Sequence, residues 1–422
     1  MFSIIYISAT CFSILLLLES RLNFIIKSLL VALIFGLVAL MMTPKAGVFT
    51  DTVRFFDELN NIRLNIRLSS FTNALKQLLS SSSISANDSI ESYSSIPVMG
   101  IIMMIMSNFG NGWLLFLVAF VDIFCALWII HKFSQRYLRE GASEFSFSKY
   151  EMYAWVSFLC LFNFNAAIGG IRNNLVGFVY ILVLIELFAN TGKTVKILIL
   201  QTITAIILVL IHPFALVLYI ISLLAILCYK NRLLMFACEI VLLLQRFYQS
   251  LVIGNLQIFG GSSVVQNMMF KNSQYFGANS YIGAASQFSV VRDGLRFLLF
   301  IMIIICVRMI STNNSDIMNR YNGFINLYIA YSLGATYDAT LFNRCISLML
   351  IAVIPYLVQF FYFLCSKEQI KFKHPILMYG FTGLLSIFLV LSLVDNVRAG
   401  TRFYDMTFNN LLISLSFWRD LL

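Results

Sequence analysis

Charged residues are scarce in this chain, at 11% of 422 positions, where a soluble domain carries roughly 25%. Water therefore cannot be the main solvent of the fold, which excludes a cytosolic enzyme and a nucleic-acid binder. Histidine is scarcer still: His131, His212 and His374 lie far apart, without metal-ligand spacing. The cysteines Cys11, Cys125, Cys160, Cys228, Cys238, Cys306, Cys345 and Cys365 stand singly, nearly all in apolar runs, and read as small hydrophobes rather than a disulfide framework. There is no G-x-x-x-x-G-K-[ST] phosphate loop, no Gly-rich dinucleotide fingerprint, and no stretch outside the apolar runs long enough to hold a nucleotide-sugar domain. The N-terminus lacks a basic leader and a small-residue cleavage site, and is expected to be a retained first span.

What the chain has in abundance is apolar surface. Hydrophobic residues make up 60% of it, 40 of them phenylalanine, and the mean hydropathy is +0.87. A helix crossing a bilayer needs about 20 mostly apolar residues. Runs of that kind fall at 2–18, 26–42, 112–130, 151–168, 173–189, 195–211, 214–229, 233–252, 295–310, 321–335, 344–364 and 375–393. The expectation is an all-α, polytopic integral membrane protein of about 12 transmembrane helices, a single transmembrane domain over 1–422. Pro44, Pro97, Pro213 and Pro375 sit at expected helix boundaries, and Pro355 predicts a kink.

The net charge of +10 first reports topology. If the short connections near 19–27, 131–150, 190–196, 230–232, 308–320 and 366–374 are cytoplasmic, they hold fifteen of the 29 basic residues, as the positive-inside rule requires. Both chain ends then face outward. Two external segments are too long to be simple connections. In the first, near 43–95, Phe55, Leu59, Ile62 and Ile66 recur at helical spacing and predict an amphipathic helix on the membrane surface. A serine tract follows, then an apolar piece at 96–108 too short to span. The second, near 253–292, is rich in glycine, asparagine and aromatics. No internal repeat is present.

Polarity that loop solvation does not explain gathers on the expected external face. Arg172 starts one span in "AAIGGIRNNLVGF", His212 ends another in "LVLIHPFAL", and Arg344 starts a third in "TYDATLFNRCISL". Converging there, guanidinium groups would suit phosphate, because their donor fork binds its oxygens in pairs. An arginine at a helix end also serves as a snorkelling anchor, and His212 before a proline serves equally as a structural residue. Arg54, Arg246 and Arg292 are further candidates for contacting phosphate, although for Arg246 a helix-packing pair with Glu239, seven residues away on one face, is the preferred reading. Asp122 is expected to meet Asn163 or Asn165 as structural glue, and Glu186 to be solvated. Asp51 and Asp338 are the acids named for a general base, with loop solvation the alternative. Tyr275 and Tyr281 stack on sugar faces or pack as a lid.

Several short pieces resemble a known family. The N-terminal pair of spans, the Asp-x-x-x-aromatic element from Asp51 to Phe55, "GIRNNLVGFVYILVLIELFANTGK", "LVLIHPFALVLYIISLL" and "FNRCISLMLIAVIPYL" are similar to the bacterial O-antigen and polysaccharide polymerases, the Wzy/EpsG-like family. That resemblance implies a membrane-embedded glycosyltransferase of GT-C-like architecture with long external loops, in the bacterial inner membrane with its active site facing the periplasm. It implies a glycan donor and acceptor linked to undecaprenyl pyrophosphate, surrounding membrane lipids, a polysaccharide chain-length regulator as a further partner, and no cofactor. Arg172, His212 and Arg344 match the family's external basic positions, where they would hold the pyrophosphate and stabilise its charge as it leaves. Two other readings stay open: a flippase for lipid-linked oligosaccharides, and an O-antigen ligase.

Overall fold

The computed structural model describes residues 1–19, 21–45, 51–69, 72–73, 75–76, 96–138, 147–189, 194–247, 287–310, 316–337, 339–365 and 375–412. These residues are almost wholly helical, and a helix lies at each of the twelve segments expected to span. In chain order they are α1 (Phe2–Leu18), α2 (Phe24–Leu40), α3 (Asp51–Ser69), α4 (Pro97–Ser107), α5 (Gly112–Phe133), α6 (Lys149–Leu161), α7 (Phe164–Gly169) and α8 (Ile171–Ala189). There follow α9 (Thr194–Val209), α10 (Phe214–Cys228), α11 (Arg232–Leu243), α12 (Gln287–Ile310), α13 (Asp316–Gly334), α14 (Ala339–Cys365) and α15 (Pro375–Phe403).

Length and apolarity single out four of these, among the described residues, as able to cross a membrane: Gly112–Leu138, Ile171–Ala189, Leu341–Cys365 and Tyr379–Phe403. The count of about twelve spans is thus not established, for two physical reasons. At 1.5 Å per residue, the 17 residues of α1 or of α2 extend only about 25 Å, short of a hydrocarbon core of about 30 Å. Helices α12 and α13 interrupt their apolar runs with Arg292, Asp293 and Arg296, and with Asn319, Arg320, Asn322 and Asn326. The exterior nevertheless has the character of a membrane protein: Ile4, Leu15, Leu233, Ile387 and Leu391 are each more than half exposed.

Local chemistry explains where the helices begin. Asn23 accepts a hydrogen bond from Ile25 N at 3.0 Å to start α2. Ser148 and Glu151 form a reciprocal capping box at α6, and Asn231 accepts from Leu233 N and Leu234 N at α11. Pro355 lies inside α14, which continues through it. From Cys345 to Phe360 that helix is almost entirely buried and forms the centre of the bundle. Buried hydroxyls in this core find carbonyl partners, as a low-dielectric interior demands: Tyr6 OH donates to Leu159 O at 3.1 Å, Tyr321 OH to Ala352 O at 2.7 Å and Tyr328 OH to Cys345 O at 2.9 Å.

The bundle has two chemically different ends. At one, His131 pairs with Glu151 at 3.0 Å, and Lys132 and Arg136 approach Glu186 at 3.8 and 3.5 Å. Glu186 is therefore paired with cations rather than merely solvated. At the other end, strand β1 (Met42–Pro44) after α2 pairs antiparallel with strand β2 (Tyr404–Met406) after α15, and Lys45 Nζ donates to Thr401 O at 2.7 Å. Helix α3 packs there too. Its stripe of Phe55, Leu59 and Ile62 is buried, with Ile66 against the same core, so α4 and α7 cover the face that the sequence assigned to lipid. Arg63 fixes this packing by donating to Ser107 O and Phe109 O, carbonyls at and just beyond the C-terminus of α4, at 2.8 and 2.9 Å.

Candidate functional site

The end bearing the strands is built around a broken helix. The segment expected as one span over 151–168 is two helices, because Phe162 adopts an extended conformation (φ −73°, ψ 110°). Asn163 then restarts the chain, its side chain accepting from Ala166 N at 3.1 Å, and Gly169–Gly170 ends α7 after six residues. Such a break frees backbone carbonyls that an apolar environment cannot satisfy. Asn396 of α15 satisfies them: its Nδ2 donates to Cys160 O at 2.8 Å and to Phe162 O at 3.0 Å, while Asn165 Nδ2 donates back to Asn396 O at 3.0 Å.

A recess of about 90 Å³ opens beside this break. Its polar lining is Asn163 before α7, Asn174 of α8, Arg292 and Arg296 of α12, and Asn343 and Ser347 of α14. Phe162, Phe178, Phe300 and Ile351 supply apolar walls. Asp395, one residue before the asparagine that stabilises the break, takes Arg296 Nη2 at 3.0 Å and Arg292 Nη1 at 3.6 Å. Arg292 also donates through Nε to Asp293 Oδ1 at 3.1 Å. Two guanidiniums and three amides surround one small recess, the guanidinium charge being offset by Asp293 and Asp395, and N–H groups not used in these pairs are available to an oxyanion. Asp395 holds the two arginines side by side against their mutual repulsion.

Of the residues that the sequence put forward, Arg292 lines this recess directly. Arg172 lies at the same end but turns to α3, with its guanidinium 5.4 Å from the centroid of the Phe55 ring; Arg54 lies 5.1 Å from the same ring and 3.6 Å from Glu58. Both arginines thus lie near one aromatic ring beside the broken helix. His212 occupies the turn between α9 and α10, where Nδ1 accepts from Phe214 N at 3.1 Å. That turn is tied to α4 by Met99 N donating to Leu210 O. Arg344 is half-buried, one position along α14 from Asn343, and does not line the recess. Arg172, His212 and Arg344 therefore share an end of the bundle, but none of the three lines this recess.

Other expectations are redistributed. Arg246 is exposed and sits 6.0 Å from the centroid of the Tyr337 ring, with no ion pair to Glu239. Asp122 meets neither Asn163 nor Asn165; it is fully buried and both carboxylate oxygens lack a hydrogen-bond partner. Asp51 opens α3, and its side chain lies outside the described residues, as do Tyr275, Tyr281 and Asp338. Asp395 and Asn396 fall beyond the last expected span, which ends at 393 whereas α15 runs to Phe403, and Arg296 falls inside the expected span 295–310. The available signal was the i, i+4 spacing of Arg292 and Arg296 and an acid inside an apolar run, each of which calls for a partner.

Comparison with known proteins adds no relative: no protein-family model, curated protein or solved structure matches the chain.

Proposed function

We propose that this protein is a membrane-embedded glycosyltransferase that polymerises undecaprenyl-pyrophosphate-linked oligosaccharide repeat units into O-antigen or a related surface polysaccharide on the periplasmic face of the bacterial inner membrane. The observation that carries the reading is the donor-rich recess of Arg292, Arg296, Asn163, Asn174 and Asn343 beside a broken helix. Polymerisation expels a pyrophosphate-linked lipid, and charge developing on that leaving group is stabilised by preorganised donors. Arg292 and Arg296 would take the pyrophosphate. Arg54 and Arg172, both near the Phe55 ring, would engage the second lipid-linked substrate. Asp51 and Asp338 stay the proposed acids for activating the acceptor hydroxyl.

The test is the lipopolysaccharide pattern of variants. Arg292→Ala, in the recess, and Arg172→Ala, beside Phe55, are expected to abolish polymer while a single repeat unit still reaches the lipopolysaccharide. A normal ladder from either variant removes that arginine from the mechanism. His212→Ala is expected to lower polymer length, and unchanged activity at normal expression would return His212 to a purely structural role capping the turn at Phe214.

The broken helix also favours a second reading, because discontinuous helices form the substrate sites of transporters. A flippase for lipid-linked oligosaccharides predicts that loss of the protein leaves no repeat unit on the lipopolysaccharide.

A further inference from the structure

At the opposite end from the recess, α11 and α13 enclose a cleft that the proposed reaction does not use. Two glycines bring these helices together. A Cβ on Gly323 would lie 2.8 Å from Met235 Cε, and one on Gly334 would collide with the Leu242 carbonyl. Gln245 Nε2 adds a bond to Tyr331 O at 2.7 Å. Along the gap lies a polar chamber of about 460 Å³, lined by Tyr229, Arg232, Asn319, Asn322, Asn326 and Glu239. It continues into an apolar one of about 410 Å³ between Phe236, Ile240, Leu243, Ile329, Ala330 and Leu333, with Phe236, Glu239 and Asn326 shared between the two. No residue of α11 is buried, and Leu233 is 82% exposed, so the cleft opens sideways to whatever surrounds the bundle.

The polar chamber is biased toward donors. Arg308 reaches it from the core side, donating to Asn326 Oδ1 at 2.7 Å and to Asn322 Oδ1 at 3.2 Å, while Tyr356 OH donates to the same Asn322 oxygen at 2.5 Å. A guanidinium has no acceptor, so both amide oxygens are held toward Arg308 and both amide nitrogens are left for the chamber. Behind Tyr229 lies Arg320, 6% exposed, its guanidinium 5.2 Å from that ring's centroid and its Nε and Nη1 without a hydrogen-bond partner. With Arg232 at the mouth, the chamber presents positive charge and N–H groups, and Glu239 is the one carboxylate among the described residues that line it.

We propose that this cleft is a binding site for one phospholipid, with the phosphate held by Arg232 and the Asn322 and Asn326 amides, and an acyl chain along Phe236, Ile240 and Ala330. Phosphate matches the donor set. Glu239, at the polar–apolar boundary, selects a headgroup that brings its own donor, an amine or a hydroxyl, over bare phosphatidic acid. The occupant is a bilayer lipid rather than free phosphate, because half of the cleft is apolar and open to the hydrocarbon.

Native mass spectrometry of the full-length protein with phosphatidylethanolamine, phosphatidylglycerol or phosphatidic acid tests this. One lipid of either of the first two types is expected to stay bound, about tenfold more tightly than phosphatidic acid, the scale of one charged hydrogen bond. Arg232→Ala, at an exposed helix start, is expected to weaken retention about tenfold without moving the melting temperature, and Glu239→Gln to erase the preference between headgroups. Ala330→Trp, which fills the apolar chamber, gives a second route to loss of lipid. Equal retention of all three lipids by wild type and Arg232→Ala overturns the proposal, as does tightest binding of phosphatidic acid.

Discussion

Asn396 carries more of this architecture than any charged residue. It is 1% exposed, and its single amide nitrogen serves two carbonyls, Cys160 O and Phe162 O, freed where α6 stops. An isosteric leucine would leave both carbonyls buried and unpaired, at about 1–3 kcal/mol each. Asn396→Leu is therefore expected to lower the thermal midpoint of the purified protein by several degrees and to reduce polymer length. An unchanged midpoint would show that the break does not depend on this side chain. Sequence reading could not find Asn396, since its importance rests on a partner more than 230 positions away. Arg292 was legible because a cation near an apolar run demands an explanation in the sequence itself. The placement of Arg172 and Arg54 was half legible: the Asp-x-x-x-aromatic element drew notice to Phe55, but only folding puts two guanidiniums near its ring.

Among the elements, periodicity predicted which face of α3 is apolar but not what covers it. A stripe of Phe55, Leu59 and Ile62 serves lipid or protein equally well, and α4 with α7 takes it. Helix boundaries were legible where prolines mark them, as at Pro97, Pro213 and Pro375. They were lost where a run of phenylalanines hides a break, as in "LCLFNFN". The close approach of α8 and α14, both of which line the recess, turns on Gly177, where a Cβ would collide with Leu348 and sit 3.1 Å from Ile351. Gly177→Val inserts three carbons into that contact, and overpacking of this kind costs about 1–3 kcal/mol. The expected outcome is loss of stability in a thermal melt and loss of polymer together. A variant with wild-type melting and wild-type polymer would mean that the two helices can separate without disturbing the site.

At the scale of the molecule, the all-α membrane character was the most legible property. The end where His131, Lys132 and Arg136 meet Glu151 and Glu186 lies opposite the recess, the strands and the arginines near Phe55. By the positive-inside rule, the proposed orientation puts the first of these ends in the cytoplasm. In a cysteine-free background, Arg402→Cys is expected to react with a membrane-impermeant maleimide in cells with a permeabilised outer membrane, and Lys230→Cys only after lysis. The reverse pattern would turn the recess toward the cytoplasm and remove it from a periplasmic reaction. The number of spans was less legible, because apolar runs of 17 residues satisfy a composition count while falling short of the bilayer. The most direct measurement of the central claim is the lipopolysaccharide of a strain lacking this protein, resolved by gel. Polymerase activity predicts core bearing a single repeat unit, with the ladder restored by the wild-type chain. Core bearing no repeat unit, or an undiminished ladder, would contradict it.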